Sequence, residues 1–191
     1  MTSKTHDLFA FASLLTLATR YPPSSLNFPT FVVSLISNIV GALLPDLDQA
    51  SNRLWDLLPA GNFLGRFLRR LFLSHRTISH SLLGIYLIHH LLLFLLPQLL
   101  NSTFLDLKII YFSIMTGFIS HLILDFFTEE GVPLLFPLKF KFGFPPISSW
   151  RIKTGKWFEK HVVVFLIIIY IILMTITNWP LLIRHLTVSP V

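Results

Sequence analysis

The sequence predicts an all-α membrane protein: a multi-span helical bundle of four to five spans with an amphipathic helix at the interface. Of its 191 residues, 53% are hydrophobic and only 13% are charged, whereas soluble domains carry about 25% charged residues. The 19 Phe and the many Leu and Ile stand in blocks and do not alternate with polar residues. Lipid is therefore expected to be part of the solvent, and residues 1–191 are predicted to form a single membrane-embedded domain.

The apolar blocks predict five helices. The first, Leu8 to Thr19, is short and is either a full span or a half-buried or re-entrant helix. The other four run from about Phe28 to Leu44, Ser81 to Leu96, Leu107 to Phe127 and Val162 to Thr177. Because a straight span needs about 20 residues, we expect neighbouring polar turns to extend several of them.

The two long connections have different characters. Residues 45–80 contain an amphipathic segment, Phe63 to Phe72, in which apolar residues at helical spacing lie opposite three arginines. This pattern is typical of a helix in the headgroup layer. Residues 128–160 are rich in Pro, Gly and aromatic residues, and we expect an ordered loop over the helix ends.

The distribution of charge predicts the orientation. If the N-terminus is cytoplasmic and all five stretches cross, 12 of the 15 Lys and Arg are inside, and only Arg20, Lys108 and Arg184 are outside. The first apolar run is followed by Arg20-Tyr21-Pro22-Pro23 and not by a small-residue cleavage site, so we expect it to stay in the mature fold. The prediction is a multi-pass protein of the inner (plasma) membrane.

The same topology gathers eight potential metal ligands at the cytoplasmic face. The sequence has no Cys, so a metal must be held by imidazole and carboxylate, which suit zinc, manganese or iron. Ionisable groups at the edge of the apolar layer are costly and usually functional. The eight residues are His6, Asp46, Asp48, His75, His80, His121, Asp125 and Glu159.

The strongest local signal is the pair His121 and Asp125. Four residues apart on a helix, they lie within about 40° of one another and can share a metal. Gly117 lies on the same stripe and lets a partner helix approach closely. Asp46 and Asp48 would point opposite ways in a strand, so only a turn lets both reach one metal. We expect one of them to be a ligand and the other to orient a neighbour or hold water.

The segment from His75 to His80 combines two imidazoles with a cation. The two His are five residues apart, about 140° of rotation on a helix, so they face one point only if a helix begins between them. Ser79 is a candidate N-cap for that helix. Arg76 is either a phosphate clamp or a cation that anchors headgroups.

The remaining candidates lie outside this segment. His6 and Glu159 are weak signals alone. For His89 and His90, deep in the third span, we expect a helix-packing role, with one of them facing the bundle interior. Three tryptophans are predicted interface anchors, namely Trp150, Trp157 and Trp179.

In joint order these stretches resemble the bacterial and archaeal inner-membrane metal-dependent hydrolases described as LexA-regulated or LexA-binding. The resemblance covers most of residues 6–160. It rests on Gly41-Ala-Leu-Leu-Pro-Asp-Leu-Asp48, on His75-Arg76 with His80-Ser81, on Gly117-x-x-Ser-His-x-x-x-Asp-x-x-Thr-x-x-Gly131, and on Thr154-Gly155 with Glu159.

That family is similar to zinc-dependent phospholipase C. The resemblance implies that His121, Asp125 and Glu159 are metal ligands. The other five candidates, which are His6, His75, His80, Asp46 and Asp48, would complete a site of two or three divalent ions, with zinc favoured.

The function that follows is a membrane-bound metal-dependent hydrolase of phosphoesters, acting on a phospholipid or a lipid-linked phosphate. Metal-activated water would attack phosphorus, Asp48 or Asp46 would accept the proton, and Arg76 would stabilise the developing charge. The expected partners are membrane lipid and a lipid-like substrate, with no nucleic acid. Two alternatives stay open: a metal-binding transporter or sensor without catalysis, and a membrane partner for a soluble regulator.

Overall fold

The computed structural model describes residues 1–23, 26–47, 78–138 and 140–187. Within these ranges the regular structure is helical, with isolated one-pair bridges and no strands, as predicted. The α-helices are α1 Ser3–Arg20, α2 Phe28–Leu43, α3 Leu82–Leu99, α4 Leu107–Phe126, α5 Val164–Thr177 and α6 Trp179–Thr187.

Four helical segments of the described chain are long and apolar enough to cross a membrane. They are Phe28–Asp46, in which a 3-10 turn extends α2, then Leu82–Leu99, Leu107–Phe126, and Phe158–Thr177, in which a π-helical turn leads into α5. The last four predicted stretches are therefore confirmed. The first forms α1, whose 18 residues are less apolar. The predicted amphipathic helix Phe63 to Phe72 lies outside the described residues.

Polar caps begin the three central spans. The side chains of Asn27, Ser81 and Asp106 accept hydrogen bonds from backbone N–H groups two or three residues later, at 2.8, 3.1 and 2.9 Å. The prediction that Ser79 caps α3 is wrong. Ser81 has the extended conformation that a cap needs, whereas the Ser79 hydroxyl contacts His80.

Helix α4 is the centre of the bundle and packs most extensively on α2. A Cβ on Gly117 would collide with the carbonyl oxygen of Asn38, and one on Gly41 with the carbonyl oxygen of Ile114. The two backbones are therefore in contact, and the Asn38 amide donates to the carbonyl of Ser113 at 3.1 Å. The close approach predicted at Gly117 is present, and α2 is the partner helix.

Helix α1 runs parallel to the last span. Near its start the Thr5 hydroxyl donates to Glu159 at 2.7 Å, and later Thr16 hydrogen-bonds to Tyr170 at 2.7 Å. Because 18 residues extend about 27 Å, α1 follows that span for most of its length. It starts at the end of the bundle where α2 and α4 finish, which we call the site end.

The loop between α4 and the last span is ordered, as predicted. Isolated bridges join Thr128 to Ile152 and Val132 to Phe142. The Arg151 guanidinium donates to the carbonyls of Pro145 and Pro146 at 2.6 and 2.9 Å. This loop lies at the site end, where the backbone N–H of Leu82 donates to the carbonyl of Leu134.

The orientation is testable because the sequence contains no Cys. A membrane-impermeant maleimide added to intact cells should label Thr103→Cys, at the end opposite the site, and should leave Ser149→Cys unlabelled. After permeabilisation both should react. Labelling of Ser149→Cys alone in intact cells would place the site end outside.

Candidate metal centre

Five of the predicted ligands meet at the site end. His6 comes from the first turns of α1, Asp46 from the 3-10 turn after α2, and His80 from the residues just before α3. His121 and Asp125 lie on the last turns of α4. The Asp46 side chain is 25% exposed, and the other four are buried.

The carboxylates lie between the imidazoles. Oδ2 of Asp125 is 3.5 Å from Nε2 of His80 and 3.6 Å from Nε2 of His121, while its Oδ1 is 3.3 Å from Nε2 of His6. Oδ1 of Asp46 lies 3.6 Å from Nε2 of His80, and Oδ2 of Asp46 lies 3.7 Å from Nε2 of His121. The rings of His6 and His121 stack at 3.7 Å. In the part of the chain that the structure describes, two groups of three could hold an ion, and both include His121.

The backbone fixes the tautomer of His121. Its Nδ1 lies 2.7 Å from the carbonyl oxygen of Ala42, and because a carbonyl can only accept, Nδ1 carries the proton and Nε2 presents a lone pair. Ser79 Oγ is 3.0 Å from Nδ1 of His80, and burial lowers the pKa of His80. Burial therefore favours the neutral form of the His80 ring.

Several polar atoms of the cluster are buried but form no hydrogen bond. Among the described residues, Nε2 of His121, both ring nitrogens of His6 and Oδ1 of Asp46 are buried without a hydrogen bond. Such atoms are rare in folded proteins. The nitrogen-to-oxygen distances of 3.3 to 3.7 Å exceed the about 2.7–3.2 Å of a hydrogen bond. They match the about 3.3–3.6 Å between ligands that bind tetrahedral zinc at 2.0–2.2 Å, so the residues fit a divalent cation.

Glu159 is placed differently from the other candidates. Its Oε1 accepts from the backbone N–H of Thr2 at 2.6 Å and from the Thr5 hydroxyl at 2.7 Å, and its Oε2 accepts from the N–H of Gly155 at 2.7 Å. It therefore anchors the start of α1, the helix that carries His6. Within the described chain Glu159 is not in either group that could hold an ion, and its role as a ligand stays a prediction.

Other contacts near the centre have no sequence signature. The α-amino group of Met1 lies 2.7 Å from Oδ1 of Asp125, and the contributions of Thr2 and Thr5 belong to no motif. Further into the bundle, His89 hydrogen-bonds to the Tyr111 hydroxyl at 2.6 Å, the helix-packing role expected for it. Three candidates lie outside the described residues: Asp48, His75 and Arg76.

In comparisons with known proteins, residues 1–181 match a family described as YdjM inner membrane protein. The Bacillus subtilis (strain 168) protein YvsG is 33% identical over 162 residues, which are 85% of this chain and 87% of YvsG. The inner membrane protein YdjM of Escherichia coli (strain K12) is 29% identical over 109 residues, 57% of this chain and 52% of that protein, about half its length. No solved structure matches.

Proposed function

This chain belongs to the YdjM inner membrane protein family, and we propose that it is a metal-dependent hydrolase of phosphoesters at the membrane surface. The observation that carries the proposal is the cluster in which the oxygens of two carboxylates lie 3.3 to 3.7 Å from the nitrogens of three imidazoles. Among the described residues, Nε2 of His121, both ring nitrogens of His6 and Oδ1 of Asp46 are buried there without a hydrogen bond. Such a donor set, buried at the end of apolar spans, suits zinc.

The distances between ligand atoms indicate which residues would share a cation. Asp46, His80 and His121 would hold one cation, since they form one of the groups whose ligand atoms lie close enough to share an ion. Oδ2 of Asp125 lies beside them, 3.5 Å from Nε2 of His80 and 3.6 Å from Nε2 of His121. Because Nδ1 of His121 is bonded to the Ala42 carbonyl, this ring can serve only one ion. His6 and Oδ1 of Asp125 would contribute to a second position only if the cation displaced the α-amino group of Met1, which pairs with the same oxygen at 2.7 Å.

A divalent cation held there supplies Lewis acidity toward water and phosphate oxygens. In hydrolysis the water oxygen forms a new bond to phosphorus, the ester P–O bond breaks, and the water's proton ends on the departing alcohol. Asp46 faces both His80 and His121, so we assign it to the cation. The proton-accepting role then goes to Asp48, two residues further along the chain. We assign Arg76 to the phosphate oxygens, because its guanidinium can make bidentate contacts.

The access to the centre favours a substrate from the lipid phase. Asp46 is the exposed member of the cluster, and it lies at the end of a span. A phosphate group at that depth belongs to the headgroup layer. A phospholipid or a lipid-linked phosphate therefore suits the position of the centre better than a substrate dissolved in water.

The test is hydrolysis by protein in nanodiscs at matched zinc content, with a panel of phospholipids and isoprenoid phosphates. We expect zinc-dependent release of headgroup or phosphate. Arg76→Ala should keep its zinc but turn over about 10²–10³-fold more slowly, and Arg76→Lys should recover only part of the rate. Lys108→Ala, at the opposite end, is the matched control and should behave as wild type.

Absence of zinc-dependent turnover on every member of the panel would contradict the proposal. Zinc uptake into proteoliposomes by the same preparation would then favour a transporter. Unchanged turnover in Arg76→Ala would contradict the assignment of Arg76 to the phosphate oxygens, but it would not contradict the proposed hydrolase.

A further inference from the structure

The loop at the site end, between α4 and the last span, has an unusual surface. Residues 131–158 contain five Lys or Arg and no Asp or Glu. Large apolar side chains are 50% to 72% exposed along it, namely Leu138, Phe140, Phe144, Ile147, Trp150, Trp157 and Phe158. We call residues 131–138 and 140–158 the loop surface.

Two of its cations are available to a ligand. Arg151 is committed to carbonyls within the loop, and Lys153 pairs with Glu129 at 3.6 Å. Lys141 and Lys156 are exposed and form no ion pair within the described chain. Positive charge and exposed aromatic rings therefore share one surface.

The connections of the loop restrict what can cover it. It begins where the span Leu107–Phe126 ends and finishes where the span Phe158–Thr177 begins, so both ends are held at one membrane face. Aromatic residues, Trp above all, concentrate at the membrane–water interface, and anionic leaflets attract nearby Lys and Arg. A water-facing loop would expose this apolar area at a cost in free energy.

We propose that the loop surface lies in the headgroup layer and binds anionic phospholipids beside the metal centre. Trp150 and Trp157 enter the interface, while Lys141 and Lys156 contact the lipid phosphates. The occupant is the protein's own membrane, because the apolar and the basic side chains are both matched by an anionic lipid surface.

Hydrogen bonds join the loop surface and its flanks to the residues of the centre. The carbonyl of Leu134 accepts from the N–H of Leu82, two residues after His80, at 3.0 Å. Thr128 N–H donates to the carbonyl of Asp125 at 3.1 Å. A lipid held on this surface would therefore lie at the same end of the bundle as the cluster. Resting on the proposed function, this placement makes anionic phospholipids the substrate class.

The binding is tested with a protein that keeps Trp150 alone, its other three tryptophans replaced by Phe. Nanodiscs contain equal total amounts of phosphatidylglycerol and phosphatidylcholine, with bromine on the tails of one or the other. Trp150 should be quenched in both, and about two-fold more strongly when phosphatidylglycerol is brominated. Lys141→Gln with Lys156→Gln should abolish the difference and retain the quenching. Lys108→Gln, at the opposite end, should keep the difference.

Two results would overturn the proposal. If Trp150 is quenched by aqueous acrylamide like free tryptophan and is not quenched by bromine, the loop faces water, which favours a soluble protein partner. If the two brominated lipids quench wild-type protein equally, the anionic preference is wrong.

Turnover separates this proposal from the proposed function. Stronger quenching of Trp150 by brominated phosphatidylglycerol, without hydrolysis of any lipid, would support lipid binding by the loop surface and contradict the proposed hydrolase. Hydrolysis of zwitterionic and anionic phospholipids at equal rates, unaffected by the double Lys variant, would reject the substrate class while supporting the hydrolase.

Discussion

Asp125→Asn is expected to lose bound zinc and hydrolytic activity together. Asp125 faces three imidazoles, with Oδ2 near His80 and His121 and Oδ1 near His6, so its charge serves every position in the cluster. Loss of a residue that only orients a ligand lowers metal affinity about 10–100-fold, and we expect a loss above about 100-fold for this one. Zinc content and chelator competition on detergent-purified protein measure it. Full zinc occupancy in Asp125→Asn would contradict the metal centre.

Glu159→Gln is the informative comparison. The Glu159 carboxylate accepts hydrogen bonds from Thr2, Thr5 and Gly155, and an amide would turn a donor toward one of these N–H or O–H groups. We expect a lower melting temperature with zinc content retained. Zinc loss equal to that of Asp125→Asn, in a protein that melts normally, would instead identify Glu159 as a ligand.

Gly117→Leu should prevent α2 and α4 from packing. Even the Cβ alone would overlap the carbonyl oxygen of Asn38, and a backbone atom cannot move aside as a side chain can. Overpacking costs about 1–3 kcal/mol in ordinary cores and more in some, and we expect at least the upper value here. Thermal unfolding in detergent and yield of monodisperse protein measure the effect, with Gly117→Ala intermediate.

Phe112→Leu is the control for this experiment. Phe112 lies on the same helix but is 47% exposed, so the change should leave the melting temperature within error. Gly117→Leu with wild-type stability would mean that the two helices are further apart than described. A secondary effect should reach the centre, since Ala42, on the displaced face of α2, holds His121 through its carbonyl.

Much of the fold could be predicted from local patterns, because each membrane-spanning helix is a long apolar run in the sequence. The pair His121 and Asp125 was visible for the same reason: helical periodicity relates residues four apart without knowledge of the rest of the chain. The cap of α3 was misplaced at Ser79 because two nearby serines are equal candidates, and only the backbone conformation at Ser81 separates them.

The tertiary contacts of the candidate metal centre could not be predicted from local sequence patterns. The Ala42 carbonyl that orients His121 is a backbone atom, so no residue type marks it. Glu159 was a weak signal in the sequence, and its hydrogen bonds to Thr2 and Thr5 depend on α1 lying beside the last span. Short hydroxyl side chains at a helix start are too common to predict such a contact.

The anchoring of α1 has a consequence for biosynthesis. Thr2 and Glu159 are separated by 157 positions in sequence, so their hydrogen bond cannot form until the ribosome has synthesised the start of the span Phe158–Thr177. The helix that carries His6 therefore gains this anchor only after both residues are in the chain, whatever contacts it makes with the earlier helices before then.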